Sequence, residues 1–454
     1  MRVTSVNPAT GAVLETFEET APAELERILE GAVAAYHRWR RCSVAERAKP
    51  MREAARILRE RKRAYARTMA LEMGKPLTQG ESEAEKCAWA CEYYAEHAAA
   101  FLAEQPRETD ASKSYVRFDP IGPLLAIMPW NFPFWQVFRF AAPALIAGNA
   151  GILKHAPNVT RCALQIETLC REAGFPDGLF RAVILQNEAV APLIADPRIR
   201  AVTLTGSDRA GSQVAEQAGR QVKKTVLELG GSDPFIVLAD ADLVLAARTA
   251  AAARLLNSGQ SCIAAKRFIV VEPVADRFLE LFVSEMGSWR MGDPLGPDTE
   301  IGPQARADLR AHLHRQVQES VQRGARLLLG AELPEGPGFF YPPTVLAAVE
   351  PGMPAFDEEV FGPVAAVIRV KDEAQALSVA NASRYGLGAS VWTANPAAGE
   401  RLARDLEVGS VFVNGLVKSD PRLPFGGVKR SGYGRELAEY GLREFVNIKT
   451  VWVA

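Results

Sequence analysis

Cys262, Glu228 and Asn131 sit at breaks in local structure, where a side chain can be held toward a cleft. Cys262 ends the run Asn257-Ser258-Gly259-Gln260-Ser261-Cys262, after an Ala-rich helical stretch and before a strand. Gly259 and the small polar residues suit a tight turn. An ordinary thiol has a pKa of about 8.5 and carries little thiolate at neutral pH. Cys262 is therefore either a half-buried structural thiol or a nucleophile with an activating neighbour. Glu228, in Leu227-Glu228-Leu229-Gly230-Gly231, is a lone carboxylate at the end of an apolar strand. It either faces solvent or, if buried, acts as a general base with a raised pKa. Asn131 lies in Pro129-Trp130-Asn131-Phe132-Pro133, where two prolines fix the backbone. Its amide belongs to a rigid structural turn or donates to an oxyanion.

Two further positions stand out. Thr205-Gly206-Ser207-Asp208 closes a strand and opens a helix. A hydroxyl there caps the helix, and the same N-terminus suits a phosphate. No Gly-x-Gly-x-x-Gly run occurs, and Gly206 to Gly211 lacks the Lys-Ser/Thr of a phosphoryl-transfer loop. Arg139 sits among apolar residues in Phe134-Trp135-Gln136-Val137-Phe138-Arg139-Phe140-Ala141. It either snorkels to solvent, which spacing alone favours, or meets a buried anion.

The elements that must position these residues follow from the hydrophobic pattern. Residues 21–104 read as helical, with a break at Gly74-Lys75-Pro76. From about 121, short apolar runs (124–128, 150–153, 182–185, 201–205, 225–229) alternate with amphipathic stretches. A second alternation has strands at 234–238, 267–271, 364–370 and 410–413. This predicts an α/β chain with two doubly wound, Rossmann-like parallel-sheet domains and a cleft between them. Segment 105–120 and the alternating tail 434–454 read as strands outside the main sheets, suited to oligomer contacts. The expected domains are 1–104 with 121–229 for dinucleotide binding, and 230–433 carrying the cysteine.

The chain has 454 residues, a net charge of −1 and 24% charged residues, a balance without the basic surface that nucleic-acid binding needs. No apolar run approaches the ~20 residues of a membrane span. The first residues do not resemble a signal peptide, and the six cysteines are irregularly spaced. A soluble cytoplasmic protein with reduced thiols is expected. His312 and His314 would point to different sides of a helix, so no metal site is expected either.

Together the motifs resemble the aldehyde dehydrogenase superfamily over nearly the whole chain. In order they are Pro129–Pro133, Lys154, Gly206-Ser207, Glu228–Gly231, Gly259–Cys262, Glu358-Glu359-Val360-Phe361-Gly362-Pro363 and Pro424-Phe425-Gly426-Gly427. The chain looks most like the succinate-semialdehyde dehydrogenase branch. The resemblance implies that Cys262 attacks the aldehyde carbon, that Asn131 and the Cys262 backbone N–H hold the oxyanion, and that Glu228 activates the water that hydrolyses the thioester. It also implies NAD or NADP as cofactor. Trp130 and Asn131 would line its groove, Lys154 reach the adenosine ribose, and Gly206-Ser207 meet the pyrophosphate. Glu359 would hold the nicotinamide ribose beside Phe361, with Leu229 at the nicotinamide.

For the substrate, the resemblance makes Arg139 and Ser419 a clamp on the carboxylate of succinate semialdehyde, with Trp135 as a wall. That replaces the snorkelling reading of Arg139. Two departures matter. Pro157 stands where NAD-specific relatives often carry Glu, leaving NAD against NADP open, and Ala264 stands where some members have a second cysteine. Glutarate semialdehyde and uncharged aldehydes are rival substrates, since one methylene is worth only ~1–3 kcal/mol. A cysteine esterase or acyltransferase would need a histidine beside the thiol, and the histidines lie far from that motif. An inactive scaffold would be free to lose Cys262, Glu228 or Asn131, and all three are present. A homodimer or homotetramer is expected.

Overall fold

The computed structural model describes residues 2–454. Two sheets organise the chain. The first has six strands in the order Gly432–Tyr433, Lys224–Glu228, Ala201–Thr205, Pro123–Met128, Ala150–His155 and Phe180–Val183. All neighbours run parallel except the first pair. Helices Trp135–Ala147, Thr160–Glu172 and Asp208–Arg220 pack on it, which explains why its inner strands read as continuous apolar runs.

The second sheet has seven strands in the order Arg326–Leu329, Thr344–Ala347, Val364–Val370, Ala265–Val271, Asp233–Val237, Gly388–Trp392 and Ser410–Val413. Only its first pair is antiparallel. Both sheets are of the parallel α/β kind that the alternating pattern predicts.

Three of these strands escape the hydrophobic pattern. Gly388–Trp392 begins with Gly-Ala, poor strand formers, yet lies inside its sheet, next to the last strand, where neighbours on both sides hold it. Thr344–Ala347 is four residues long and follows two prolines, and Arg326–Leu329 is a partly exposed edge. Gly432–Tyr433, grouped by sequence with the second sheet, pairs instead with Leu227 and Glu228 of the first.

The N-terminal helical region is three helices, Val44–Glu60, Lys62–Met73 and Leu77–Phe101, preceded by Pro22–Trp39 and a hairpin of Arg2–Val6 with Val13–Glu18. Ser43 and Glu46 form a capping box that fixes the start of helix Val44–Glu60. Apart from both large sheets, Lys113–Pro120 pairs antiparallel with Val446–Val453, and Gln105–Pro106 extends the ladder. Among the described residues no helix is long and apolar enough to cross a membrane.

Candidate active site

The cysteine loop begins with three successive left-handed residues. Helix Leu243–Leu255 runs into Asn257, Ser258 and Gly259, with φ of 57°, 55° and 72°. Gly259 is required, because a Cβ there would stand 2.3 Å from the Gly362 carbonyl carbon. The two non-glycine residues cost about 1–3 kcal/mol each in this conformation, and the surroundings hold them there. Asn257 N–H donates to Gln79 Oε1 (2.8 Å), while its Nδ2 donates to the carbonyls of Asn131 (2.8 Å) and Gln260 (3.0 Å). Ser258 Oγ accepts from Gly302 N–H at 2.9 Å. The buried Lys266 ammonium closes the loop by donating to the carbonyls of Cys262 (2.7 Å), Ser261 (3.1 Å) and Ala264 (3.2 Å).

The loop sets the half-buried Cys262 on the wall of a cavity of about 220 Å³. Burial pushes its thiol up to about 12, and the nearby charges of Arg139 and Lys266 oppose this only in part. At neutral pH Cys262 is therefore a protonated thiol.

Asn131 reaches the same loop. Its Nδ2 donates one N–H to the Gln260 carbonyl (3.1 Å), which leaves the second N–H for another acceptor. His155 fixes the Pro129–Pro133 turn, with Nε2 donating to the Pro133 carbonyl (2.9 Å) and Nδ1 accepting from Ala156 N–H (2.9 Å). Burial lowers the pKa of His155 to about 4, so it stays neutral.

Glu228 does not face solvent. It is 2% exposed, and neither carboxylate oxygen has a hydrogen-bond partner. Its Oε1 lies 2.6 Å from where a Cβ on Gly426 would stand, so that glycine leaves the carboxylate open space. Burial holds its pKa well above the usual carboxylate range; Arg139 opposes the shift and Glu436 adds to it.

Arg139 is buried in helix Trp135–Ala147, so it does not snorkel. Its Nε is ion-paired with Glu436, its Nη2 donates to Thr205 Oγ1 (3.4 Å), and the guanidinium lies 4.5 Å over the Phe425 ring. Arg139, Trp135, Ser419 and Cys262 line one cavity, together with Phe425 and Lys86. Ser419 Oγ accepts from the Trp135 indole N–H (3.0 Å) and from Lys86 (2.7 Å). Glu83 caps this helix by accepting from the N–H groups of Phe134 (2.8 Å) and Trp135 (2.9 Å), and it pairs with Lys75.

A left-handed loop presents a cysteine and holds an amide beside it, and a buried glutamate stands without a hydrogen-bond partner at the end of a strand of the first sheet. The model for the aldehyde dehydrogenase family matches residues 1–451. The chain belongs to the aldehyde dehydrogenase family. It is 47% identical, over the full length of both chains, to succinate-semialdehyde dehydrogenase (NADP(+)) 1 of Mycobacterium tuberculosis. It is 48% identical to the succinate semialdehyde dehydrogenase (NAD(P)+) Sad of Escherichia coli, covering 99% of this chain and 97% of that one. The structure of succinic semialdehyde dehydrogenase from Streptococcus pyogenes in complex with NADP+ superposes with a TM-score of 0.97 at 39% identity, covering 99% of each chain.

The residues expected to hold a dinucleotide stand at strand ends and in the loops and turns that follow them. Ser207 caps helix Asp208–Arg220, its Oγ accepting from Ala210 N–H at 3.2 Å. A Cβ on Gly206 would meet nothing closer than 3.6 Å, so a ligand can approach the backbone there. Lys154 is buried and donates to Asn187 Oδ1 (2.8 Å), and burial lowers its pKa. Pro157 opens a short 3-10 turn. Trp130 meets Phe361 edge-on, with ring centroids 5.8 Å apart. Glu359 accepts from Gly231 N–H at 2.9 Å, and Leu229 N–H donates to the Ser431 carbonyl at 3.0 Å. Among the described residues no cluster of metal-ligating side chains occurs.

Several residues here carry no sequence signal of their own. Glu436, Lys266 and Lys86 read as unremarkable charges until the fold brings them to Arg139, Cys262 and Ser419. Asn257 and Gln260 are visible in the cysteine motif, but their hold on Asn131 crosses between the two sheets' loops.

Proposed function

We propose that this aldehyde dehydrogenase oxidises succinate semialdehyde to succinate, with water as the oxygen source and NAD or NADP as the oxidant. The observation that carries the reading is the single cavity joining Cys262 to Arg139, Trp135 and Ser419. Arg139 has five N–H donors, and Glu436 and Thr205 engage only Nε and Nη2, so Nη1 has donors for a carboxylate. The full-length likeness to succinate-semialdehyde dehydrogenases supports the same substrate.

The donor set fits a dinucleotide: a lysine whose hydrogen-bond partner among the described residues is an amide, a capping hydroxyl at a helix N-terminus and an open glycine. Lys154, Gly206-Ser207, Glu359 and the Trp130–Phe361 pair would hold it. Bound nicotinamide supplies the hydride acceptor that turns a thiohemiacetal into a thioester. The chain's own residues do the rest. The Cys262 thiol gives its proton to solvent as its sulfur bonds to the aldehyde carbon and the carbonyl π pair moves onto oxygen. The free Asn131 N–H and the Cys262 backbone N–H hold the oxygen that becomes negative. Glu228, unpartnered and raised by burial, takes a proton from water, whose oxygen attacks the thioester carbon. The C–S bond breaks, the acid leaves, and the proton held by Glu228 passes to the Cys262 sulfur and restores its thiol.

The exposed Ile448, Trp452 and Val453 on the Val446–Val453 strand support a homodimer or homotetramer assembled through that ladder. The test of the chemistry is Glu228→Gln reacted with succinate semialdehyde and NADP, quenched and mapped by peptide mass spectrometry. The reading expects an acyl group on Cys262 and reduced cofactor of about one per site. Reduced cofactor without acylation of Cys262 contradicts it.

A further inference from the structure

Charge pairing in the cavity singles out one side chain. Four cations line the space beside Cys262: Lys75, Lys86, Arg139 and Lys418. Lys75 is bound to Glu83 and Arg139 to Glu436, both inside the protein. Lys418 is exposed at the rim. Lys86, half-buried on helix Leu77–Phe101, pairs with no carboxylate among the described residues; its Nζ donates to Ser419 Oγ at 2.7 Å and lies 4.4 Å over the Trp135 ring. Burial and then the Arg139 charge push its pKa down to about 8.

The hydroxyl of Ser419 adds to the imbalance. It accepts from both Lys86 and the Trp135 indole, which fills its two lone pairs. Its own proton is therefore left to donate. Lys86 has three N–H groups and uses one on Ser419. At this wall of the cavity, free donors of an ammonium and a hydroxyl meet with no acceptor for them among the described residues, and a carboxylate satisfies all of them at once.

We propose that Lys86 is a specificity-determining residue whose ammonium, with the Ser419 hydroxyl, binds the carboxylate end of the substrate. This rests on the reading of the substrate as a short ω-carboxy aldehyde, and it adds to Arg139 a second cation, one with no ion-paired carboxylate among the described residues. The Trp135 ring and indole N–H hold both donors in place. The site accepts the dicarboxylate product equally, so succinate should inhibit competitively through the same contacts.

The experiment compares the wild-type enzyme with Lys86→Met and Lys86→Arg. It measures kcat/KM for succinate semialdehyde and for butanal, and the inhibition constant of succinate. For Lys86→Met, loss of a charge-assisted contact should lower the ratio of the two kcat/KM values by roughly ten- to a hundredfold and raise the succinate inhibition constant comparably. Lys86→Arg should recover most of both. Equal losses on both aldehydes, or an unchanged succinate constant, would overturn the role of Lys86 while leaving the substrate reading intact. A wild-type enzyme with no preference for succinate semialdehyde over butanal would overturn the substrate reading and this proposal with it.

Discussion

Arg139 and Glu436 form a buried pair beside the cavity, and separating them distinguishes a structural neutraliser from a substrate clamp. Arg139→Met leaves Glu436 desolvated and without its cation. Removing one partner of such a pair costs about 3–5 kcal/mol of stability. The double variant Arg139→Met/Glu436→Gln removes both charges, so most of that loss should return. Catalysis should behave differently. If the guanidinium also grips the substrate carboxylate, the lost charge-assisted contact is worth about 1.5–3 kcal/mol. At about 1.36 kcal/mol per decade this is roughly ten- to 150-fold in kcat/KM. Urea unfolding at constant slope reads the first quantity, and initial rates with succinate semialdehyde and butanal read the second. The expected outcome is a double variant with near wild-type stability that still discriminates poorly between the two aldehydes. A double variant that regains both stability and preference would refute the clamp and leave Arg139 only the task of neutralising Glu436.

Three other outcomes follow from the geometry. With the Cys262 thiol pushed up to about 12, the free enzyme's alkylation by iodoacetamide should still climb about tenfold per pH unit between pH 8 and pH 10. The sign follows from the raised pKa: the reactive thiolate accumulates only as pH approaches it, and a plateau by pH 9 would contradict the burial argument. Asn131→Ala should lower kcat about 10²–10³-fold, as for loss of one oxyanion donor, read from initial rates at saturating aldehyde and dinucleotide. Gly259→Ala places a Cβ 2.3 Å from the Gly362 carbonyl carbon, so it should destabilise the fold by more than the ~1–2 kcal/mol of the left-handed backbone alone and lower activity about a hundredfold by moving Cys262. Wild-type activity in that variant would show that the loop tolerates another path.

The parallel α/β architecture was legible because buried parallel strands are apolar throughout, and runs such as Ala201–Thr205 and Val364–Val370 stand out for that reason. Gly388–Trp392 was not, since a short strand of small residues owes its place to its neighbours rather than to its own preference. At the site, Cys262, Glu228 and Asn131 announce themselves through the glycines and prolines around them, which mark turns that hold a side chain still. Arg139 announces itself as a charge in an apolar helix, but its partner Glu436 is distant in sequence and only the fold brings them together. Lys86 is the opposite case. On an amphipathic helix it reads as one of many solvated charges, and its burial against Trp135 and Ser419 depends on loop 414–427 folding over it.

The most direct test of the account is a single set of initial rates of reduced-nicotinamide formation, crossing succinate semialdehyde, glutarate semialdehyde and butanal with NAD and NADP. Turnover with the carboxylated aldehydes should stand well above that with butanal, and the two cofactor columns show which dinucleotide Lys154 and Pro157 admit. Butanal equal to or better than succinate semialdehyde would contradict the carboxylate-binding cavity, and no reduction with any pair would contradict the dehydrogenase itself.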